Sequence, residues 1–143
     1  MPHSYNKFWT HAVWSTKDRQ NLIQPTVEKK LYDFMYSQFV ELGCPVRIIN
    51  GMPDHIHCLF LLNPNKASAD IIKQIKGSSS HFVNENKFIP EKFAWQTGYA
   101  AYVVSDVIMD RTFNYIKKQK AHHQKKTFQH EYDEIRKMIE NLF

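Results

Sequence analysis

Two histidines separated by one residue could hold a metal ion. His55 and His57 flank Ile56 in a segment that is rich in β-forming residues. Side chains alternate across a strand, so both imidazoles share one face and lie about 6.5–7 Å apart along it. Imidazole is a common metal ligand, and two rings at this spacing can converge on one ion. The alternative is an ordinary polar stripe on a sheet, which the spacing alone does not exclude.

A tyrosine and a glutamine four residues apart form the second candidate pair. Tyr115 and Gln119 lie in a segment predicted to be helical, where residues four apart share a face. A tyrosine hydroxyl can act as a nucleophile, and an amide oxygen can complete a metal site. The alternative is that Tyr115 packs in a core or an interface and that Gln119 is an ordinary helical residue.

The same segment carries most of the positive charge. Residues 111 to 126 include six cations and no Asp or Glu, whereas the net charge of the whole chain is +5. Such a segment attracts polyanions, most often nucleic acid, although a solvated helix face is the alternative. The predicted DNA-binding residues are Arg111, Lys117, Lys118, Lys120, Lys125 and Lys126.

These groups together predict phosphodiester chemistry. A divalent ion on His55, His57 and the amide oxygen of Gln119 can neutralise a phosphoryl group, and this ligand set suits Mg²⁺ or Mn²⁺. Attack of Tyr115 on phosphorus would form a covalent phosphotyrosine. A nucleotide cofactor is not expected, because the chain has only four glycines and neither GxGxxG nor GxxxxGK[ST] occurs.

The elements that would position these residues follow the order β-α-β-β-α-β. Apolar periodicity, with Pro25 at a helix start and Gly43 at a helix end, predicts the boundaries. Predicted strands cover 7–15, 45–50, 55–62 and 99–104, and predicted helices cover 25–42, 68–83, 106–123 and 128–142. This order predicts an α+β fold of the ferredoxin-like or RRM-like type, an antiparallel sheet with helices on one face. Additional C-terminal helices follow, one of which bears Tyr115.

The composition predicts a single cytoplasmic domain. The 143 residues fit one domain over 1–143, in which about 128–143 form a C-terminal helical extension. The hydrophobic fraction of 43% argues against disorder, and two cysteines cannot form a disulfide framework. The start of the chain has no signal-peptide pattern, and no apolar run approaches the length of a membrane helix. Action at the nucleoid would follow from DNA binding.

Three motifs in this chain together resemble one protein family. Each motif is modest alone, but their order and spacing are specific, and the resemblance extends from about residue 5 to residue 132. The family is that of the IS200-like transposases, the small single-tyrosine members of the HUH nucleases. The motifs are Met52-Pro53-Asp54-His55-Ile56-His57, Trp95-Gln96-x-Gly98-Tyr99 and Tyr115-Ile116-x-x-Gln119-x-x-His122-His123.

The resemblance implies an activity and a role for each motif residue. The family's metal-dependent transposases recognise subterminal hairpins and cut and rejoin single strands of DNA through a 5′-phosphotyrosine. Carried onto this sequence, the metal-binding histidines are His55 and His57, the third ligand is Gln119, and the nucleophile is Tyr115. The resemblance also implies a homodimer in which the sheets of two subunits join.

Two other functions remain open on the sequence alone. A domesticated relative that binds hairpin DNA without moving it would share these features, and only the absence of metal-dependent nicking would distinguish it. A replication initiator or relaxase of the HUH type is disfavoured, because the chain is short and has one tyrosine in the motif. An RNA-recognition module is disfavoured because no RNP-type aromatic signature lies on the central strands.

Several further residues have two interpretations. Asp54 orients a ligand histidine or only fixes the turn after Pro53. Trp95 stacks on bases or packs beside a strand. His122 and His123 contact DNA or the outer shell of the metal, or lie at a solvated helix end. No partner is predicted for His11, His81 or His130.

Overall fold

The computed structural model describes residues 5–122 and, beyond them, His130, Asp133, Glu134, Arg136 and Lys137. Four strands are present: β1 (Trp9–Ser15), β2 (Val46–Met52), β3 (His55–Leu61) and β4 (Ala100–Val104). They form one sheet in the order β2-β3-β1-β4, and every pair is antiparallel. This is the strand order of a ferredoxin-like sheet, so the predicted fold class is confirmed.

Two long helices cover one face of the sheet. α1 (Pro25–Glu41) starts with proline in its first turn and buries Val27, Leu31, Met35 and Phe39. α2 (Ser68–Glu85) buries its apolar stripe beside α1, including Ile71, Ile72 and Ile75. Gly43 follows α1 with a φ of 72°, a left-handed conformation that glycine adopts without steric cost.

The C-terminal segment lies against the opposite face of the sheet. A 3-10 turn (Asp106–Ile108) leads into α3 (Met109–Lys117). The helix is interrupted at Lys118, and a short α4 (Gln119–His122) follows. The expectation of one continuous helix over 106–123 is therefore wrong. Most of the predicted helix over 128–142, and the predicted DNA ligands Lys125 and Lys126, fall outside the described residues.

Strand β3 is buried on both faces because helices cover each side. Ile56, Cys58 and Phe60 point towards α1 and α2, and all are fully buried. His55, His57 and Leu59 alternate with them and point towards α3 and α4, also with no exposed surface. The predicted alternation is confirmed, but the histidine face is not a solvent face.

Both cysteines are buried free thiols, which agrees with the absence of a disulfide framework. Burial raises the pKa of the Cys58 thiol, so this group stays protonated and inert inside the core. Among the described residues, none of the helices combines the length and the apolar character needed to span a bilayer.

Gly51 provides a direct test of how closely β2 approaches β3. A Cβ at this position would overlap the carbonyl oxygen of His55 and lie 2.9 Å from the Cα of Ile56. We expect Gly51→Ala to lower the free energy of unfolding by about 2–3 kcal/mol, because backbone atoms of β3 must move. Urea denaturation measures this change.

Gly77→Ala is the matched control. Gly77 lies within α2, and a Cβ there meets nothing within 4 Å. The same substitution should therefore raise the free energy of unfolding by about 0.5–1 kcal/mol, because alanine favours the helix. Equal effects of the two substitutions would contradict the close approach of the strands.

Candidate active site

The first histidine of the pair is held between a carboxylate and an amide. Nδ1 of His55 lies 2.8 Å from Oδ1 of Asp54, in the turn that joins β2 to β3. An ionised carboxylate can only accept, so Nδ1 carries a proton and donates it. On the other side of the ring, Nε2 of His55 lies 3.2 Å from Oε1 of Gln119. This contact favours the interpretation that Asp54 orients a candidate ligand.

The second histidine is held by another histidine. Nδ1 of His57 lies 2.8 Å from Nε2 of His11 on β1, and both rings are buried. The ring centroids of His55 and His57 are 5.3 Å apart, with their planes at 73°. The two imidazoles are thus neighbours on one face, as the strand spacing predicted.

The predicted nucleophile lies beside the second histidine of the pair. The ring centroid of Tyr115 is 5.9 Å from that of His57, and the two planes meet at 78°. Tyr115 is half-buried at the edge of a cluster that includes Leu59, Val104 and Ile116. α3 therefore brings Tyr115 to the histidines of its own chain, while α4 brings Gln119.

An asparagine on the sheet accounts for the break between α3 and α4. Nδ2 of Asn50 donates to the carbonyl oxygens of Ile116 and Lys117, at 3.0 and 3.2 Å. These carbonyls belong to the last turn of α3, where the regular helical hydrogen bonds run out. Asn50 therefore anchors the end of α3 on β2, and the turn at Lys118 directs Gln119 towards His55.

Charged side chains reinforce this anchor. Nζ of Lys120 donates to the carbonyl of Gly51 and lies 3.0 Å from the carboxylate of Glu28. In the middle of α3, the guanidinium of Arg47 lies 5.1 Å from the ring centroid of Phe113. The ammonium of Lys120, predicted to bind DNA, is thus engaged in holding α4 to the sheet.

The remaining predicted DNA-binding side chains are solvent-facing where they are described. Arg111, Lys117 and Lys118 are all exposed on or just after α3, within a few residues of Tyr115. They form a basic surface beside the candidate site, and we call these three residues the α3 cation group. Their role in binding DNA stays a prediction.

The donor atoms fit a hard divalent cation. With its proton on Nδ1, a neutral His55 directs the lone pair of Nε2 towards the amide oxygen of Gln119. Two ligand atoms on adjacent corners of an octahedral Mg²⁺ site lie about 3 Å apart, close to the observed 3.2 Å. Within the described part of the chain, no three His, Cys, Asp or Glu side chains form a metal-holding cluster. The amide oxygen of Gln119 could serve as a third protein ligand beside the two histidines.

Two site residues had no signal in the sequence. No partner was predicted for His11, and Asn50 was not singled out, yet His11 contacts His57 and Asn50 contacts the end of α3. Trp95 was ambiguous, and its Nε1 donates to the buried hydroxyl of Ser79 while its ring packs edge-on against Trp14. This contact favours packing over base stacking.

Two solved structures that align with this chain are described as transposases. A crystal structure from Deinococcus radiodurans R1, of a protein assigned as a transposase, aligns with a TM-score of 0.65 and 23% identity. The alignment covers 83% of this chain and 95% of that one. A REP-associated tyrosine transposase bound to a REP hairpin also aligns with a TM-score of 0.65, at 14% identity over 86% of this chain and 73% of that one. These similarities show a transposase fold.

Sequence comparison narrows this class to one family. The family described as "Transposase IS200 like" matches residues 4–119. The chain therefore belongs to the IS200-like transposase family, which confirms the resemblance found in the motifs. It is also 29% identical, over 115 residues, to the ISDra2 transposase TnpA of Deinococcus radiodurans. That alignment covers 76% of this chain and 81% of the relative.

Asn50→Asp tests the anchor of α3. The substitution keeps the size of the side chain but places carboxylate oxygen where Nδ2 of Asn50 donates to two carbonyls. We expect the free energy of unfolding to fall by about 1–3 kcal/mol, because those carbonyls lose their donor and face a negative charge. Chemical denaturation measures the loss, and native-state hydrogen exchange should rise most over residues 109–122.

Asn65→Asp is the control for this experiment. Asn65 is an exposed residue of the turn before α2, so the same change should alter stability by no more than about 0.5 kcal/mol. If the two substitutions had equal, small effects, Asn50 would not be what holds α3 on the sheet.

Proposed function

We propose that this protein is a metal-dependent, single-strand DNA transposase that cleaves and rejoins element ends through Tyr115. One observation carries the proposal: Tyr115 and Gln119 converge on His57 and His55 in one chain. Family membership supports the assignment, since the matched residues 4–119 include all four of these side chains.

His55, His57 and Gln119 would hold the divalent cation, Mg²⁺ or Mn²⁺. When bound, such an ion neutralises charge on the phosphodiester and orients the scissile bond. Asp54 keeps the proton of His55 on Nδ1, so that Nε2 is available as a ligand atom. The complete burial of both histidines keeps bulk water away from these nitrogens.

Tyr115 supplies the nucleophile. Its phenol oxygen forms a bond to phosphorus while the bond from phosphorus to the 3′ oxygen breaks. The departing 3′ oxygen takes up a proton, which balances the proton that the phenol loses. The products are a 5′-phosphotyrosine and a free 3′-hydroxyl, and attack by another 3′-hydroxyl reverses the step. No nucleotide triphosphate is needed.

The proposed substrate is single-stranded DNA that folds into hairpins near the ends of the element. The α3 cation group, Arg111, Lys117 and Lys118, presents three exposed positive charges beside Tyr115, and phosphate contacts from such residues dominate affinity. A protein of the same fold is described as bound to a REP hairpin, which supports this choice of ligand. Lys125 and Lys126, which lie outside the described residues, are proposed as further DNA-binding residues from their charge in the sequence.

A homodimer is part of the proposal. Strand β4 is at the edge of the sheet, pairing with β1 on one side. Its outer side offers backbone groups for pairing with a second sheet, and Val103 on this strand is 61% exposed. Joining two sheets at β4 would cover this residue. In the present arrangement each Tyr115 lies over the histidines of its own subunit.

The direct test is formation of a covalent protein–DNA adduct. The wild-type protein, incubated with Mg²⁺ and single-stranded DNA from the ends of its element, should form an adduct that survives denaturing electrophoresis. Tyr115→Phe should reduce the adduct by at least a hundredfold, because the attacking oxygen is gone. Tyr5→Phe, at a tyrosine that is 85% exposed before β1 and lies outside the three motifs, should leave it unchanged.

Two results would contradict this account in different ways. An adduct that persists in Tyr115→Phe would show that another residue is the nucleophile. Tight, salt-sensitive hairpin binding by the wild-type protein with no adduct in any divalent metal would favour the alternative, a domesticated relative that binds hairpins without cleaving them.

A further inference from the structure

A line of hydrogen-bonded side chains runs from His57 across three strands. Nδ1 of His57 lies 2.8 Å from Nε2 of His11, and Nδ1 of His11 lies 2.5 Å from the hydroxyl of Tyr102. His57 belongs to β3, His11 to β1 and Tyr102 to β4. His11 is 1% exposed, so these contacts are made away from solvent.

The register of the sheet brings the three side chains together. His11 is directly opposite Tyr102 in the β1–β4 ladder, and His57 is opposite Val13 in the β1–β3 ladder. His11 and His57 are therefore diagonal neighbours on the same face. Their ring planes differ by only 29°, which suits a hydrogen bond that lies within both rings.

The proton between the two imidazoles has two positions with different consequences. At 2.8 Å, one nitrogen must donate and the other must accept. If His57 donates from Nδ1, its Nε2 holds a lone pair and can bind a metal ion. If His11 donates instead, a neutral His57 carries its own proton on Nε2 and cannot act as a ligand there.

Tyr102 stabilises the arrangement in which Nδ1 of His57 donates to Nε2 of His11. When Nε2 of His11 accepts, the proton of a neutral His11 is on Nδ1, where the oxygen of Tyr102 accepts it. Tyr102 is half-buried, so its own hydroxyl proton can point towards water. A hydroxyl can both donate and accept, so the oxygen of Tyr102 can accept from His11 without leaving a buried donor of His11 unsatisfied.

We propose that His11, supported by Tyr102, is a positioning residue that holds the proton of His57 on Nδ1 and so presents Nε2 to the metal. The inference rests on the proposed function, because it concerns the metal site of that activity. His11 does for His57 what Asp54 does for His55, with a neutral acceptor in place of a carboxylate. Neither residue touches the metal itself.

The test measures Mn²⁺ binding by the full chain without DNA, using electron paramagnetic resonance. His11→Leu removes the acceptor but keeps similar bulk, and it should weaken Mn²⁺ binding by about 10–100-fold. His11→Gln supplies an amide oxygen as acceptor and should restore most of the affinity. Tyr102→Phe removes only the far end of the line and should weaken binding several-fold.

Nitrogen-15 spectra of the imidazoles give a second readout in the wild-type protein. With Mg²⁺ bound, we expect His57 to be protonated at Nδ1 and His11 at Nδ1, a tautomer pattern that packing alone would not require. Circular dichroism and metal-free hairpin binding should be unchanged in all three variants. His81→Gln, at an exposed position of α2, is the control for loss of a histidine.

The outcomes separate this inference from the proposed function. If wild-type protein does not bind Mn²⁺, the metal site of the proposed function is wrong. If wild-type protein binds Mn²⁺ and both His11→Leu and Tyr102→Phe bind it within twofold, only the role of His11 is wrong. A proton on Nε2 of His57 in the Mg²⁺-loaded protein would also overturn the inference. Should His11→Leu fail to fold, Tyr102→Phe and the spectra decide the question.

Discussion

The complete burial of two imidazoles on a central strand is the constraint on which the rest of the structure depends. A buried ring nitrogen is costly without a polar partner, so His55 and His57 each require hydrogen-bonding groups from neighbouring elements. The turn before β3 supplies Asp54 to His55, and β1 supplies His11 to His57. α4 places the amide oxygen of Gln119 against the remaining ring nitrogen of His55, where a cation could join the two acceptors. The strand register and the course of the C-terminal segment thus both bring polar groups to the buried ring nitrogens of His55 and His57.

The break after α3 follows from the same requirement. A continuous helix would keep Lys118 in regular geometry, whereas Asn50 instead caps the end of α3 from the sheet. α3 then covers Leu59 and places Tyr115 against His57, and α4 starts with Gln119 facing His55. One chain therefore brings the proposed nucleophile and the third proposed ligand to the same two histidines, and the exposed α3 cation group lies beside them.

The sequence pattern predicted the features that depend on residues close together in the chain. It missed the features that depend on which strands pair and on which side chains then meet. Alternation along one strand was enough to place His55 and His57 on one face. The role of His11 could not be predicted, because it depends on the register of β1 against both β3 and β4. The break at Lys118 has no glycine or proline to signal it, since a side chain on β2 produces it.

The most direct test of the central claim is the location of Mn²⁺ in crystals of the protein, found by anomalous scattering. The account predicts one strong peak in contact with a nitrogen of His55, a nitrogen of His57 and the amide oxygen of Gln119, with the ring of Tyr115 beside it. A peak held by other residues, or no peak between the two histidines at saturating Mn²⁺, would contradict it.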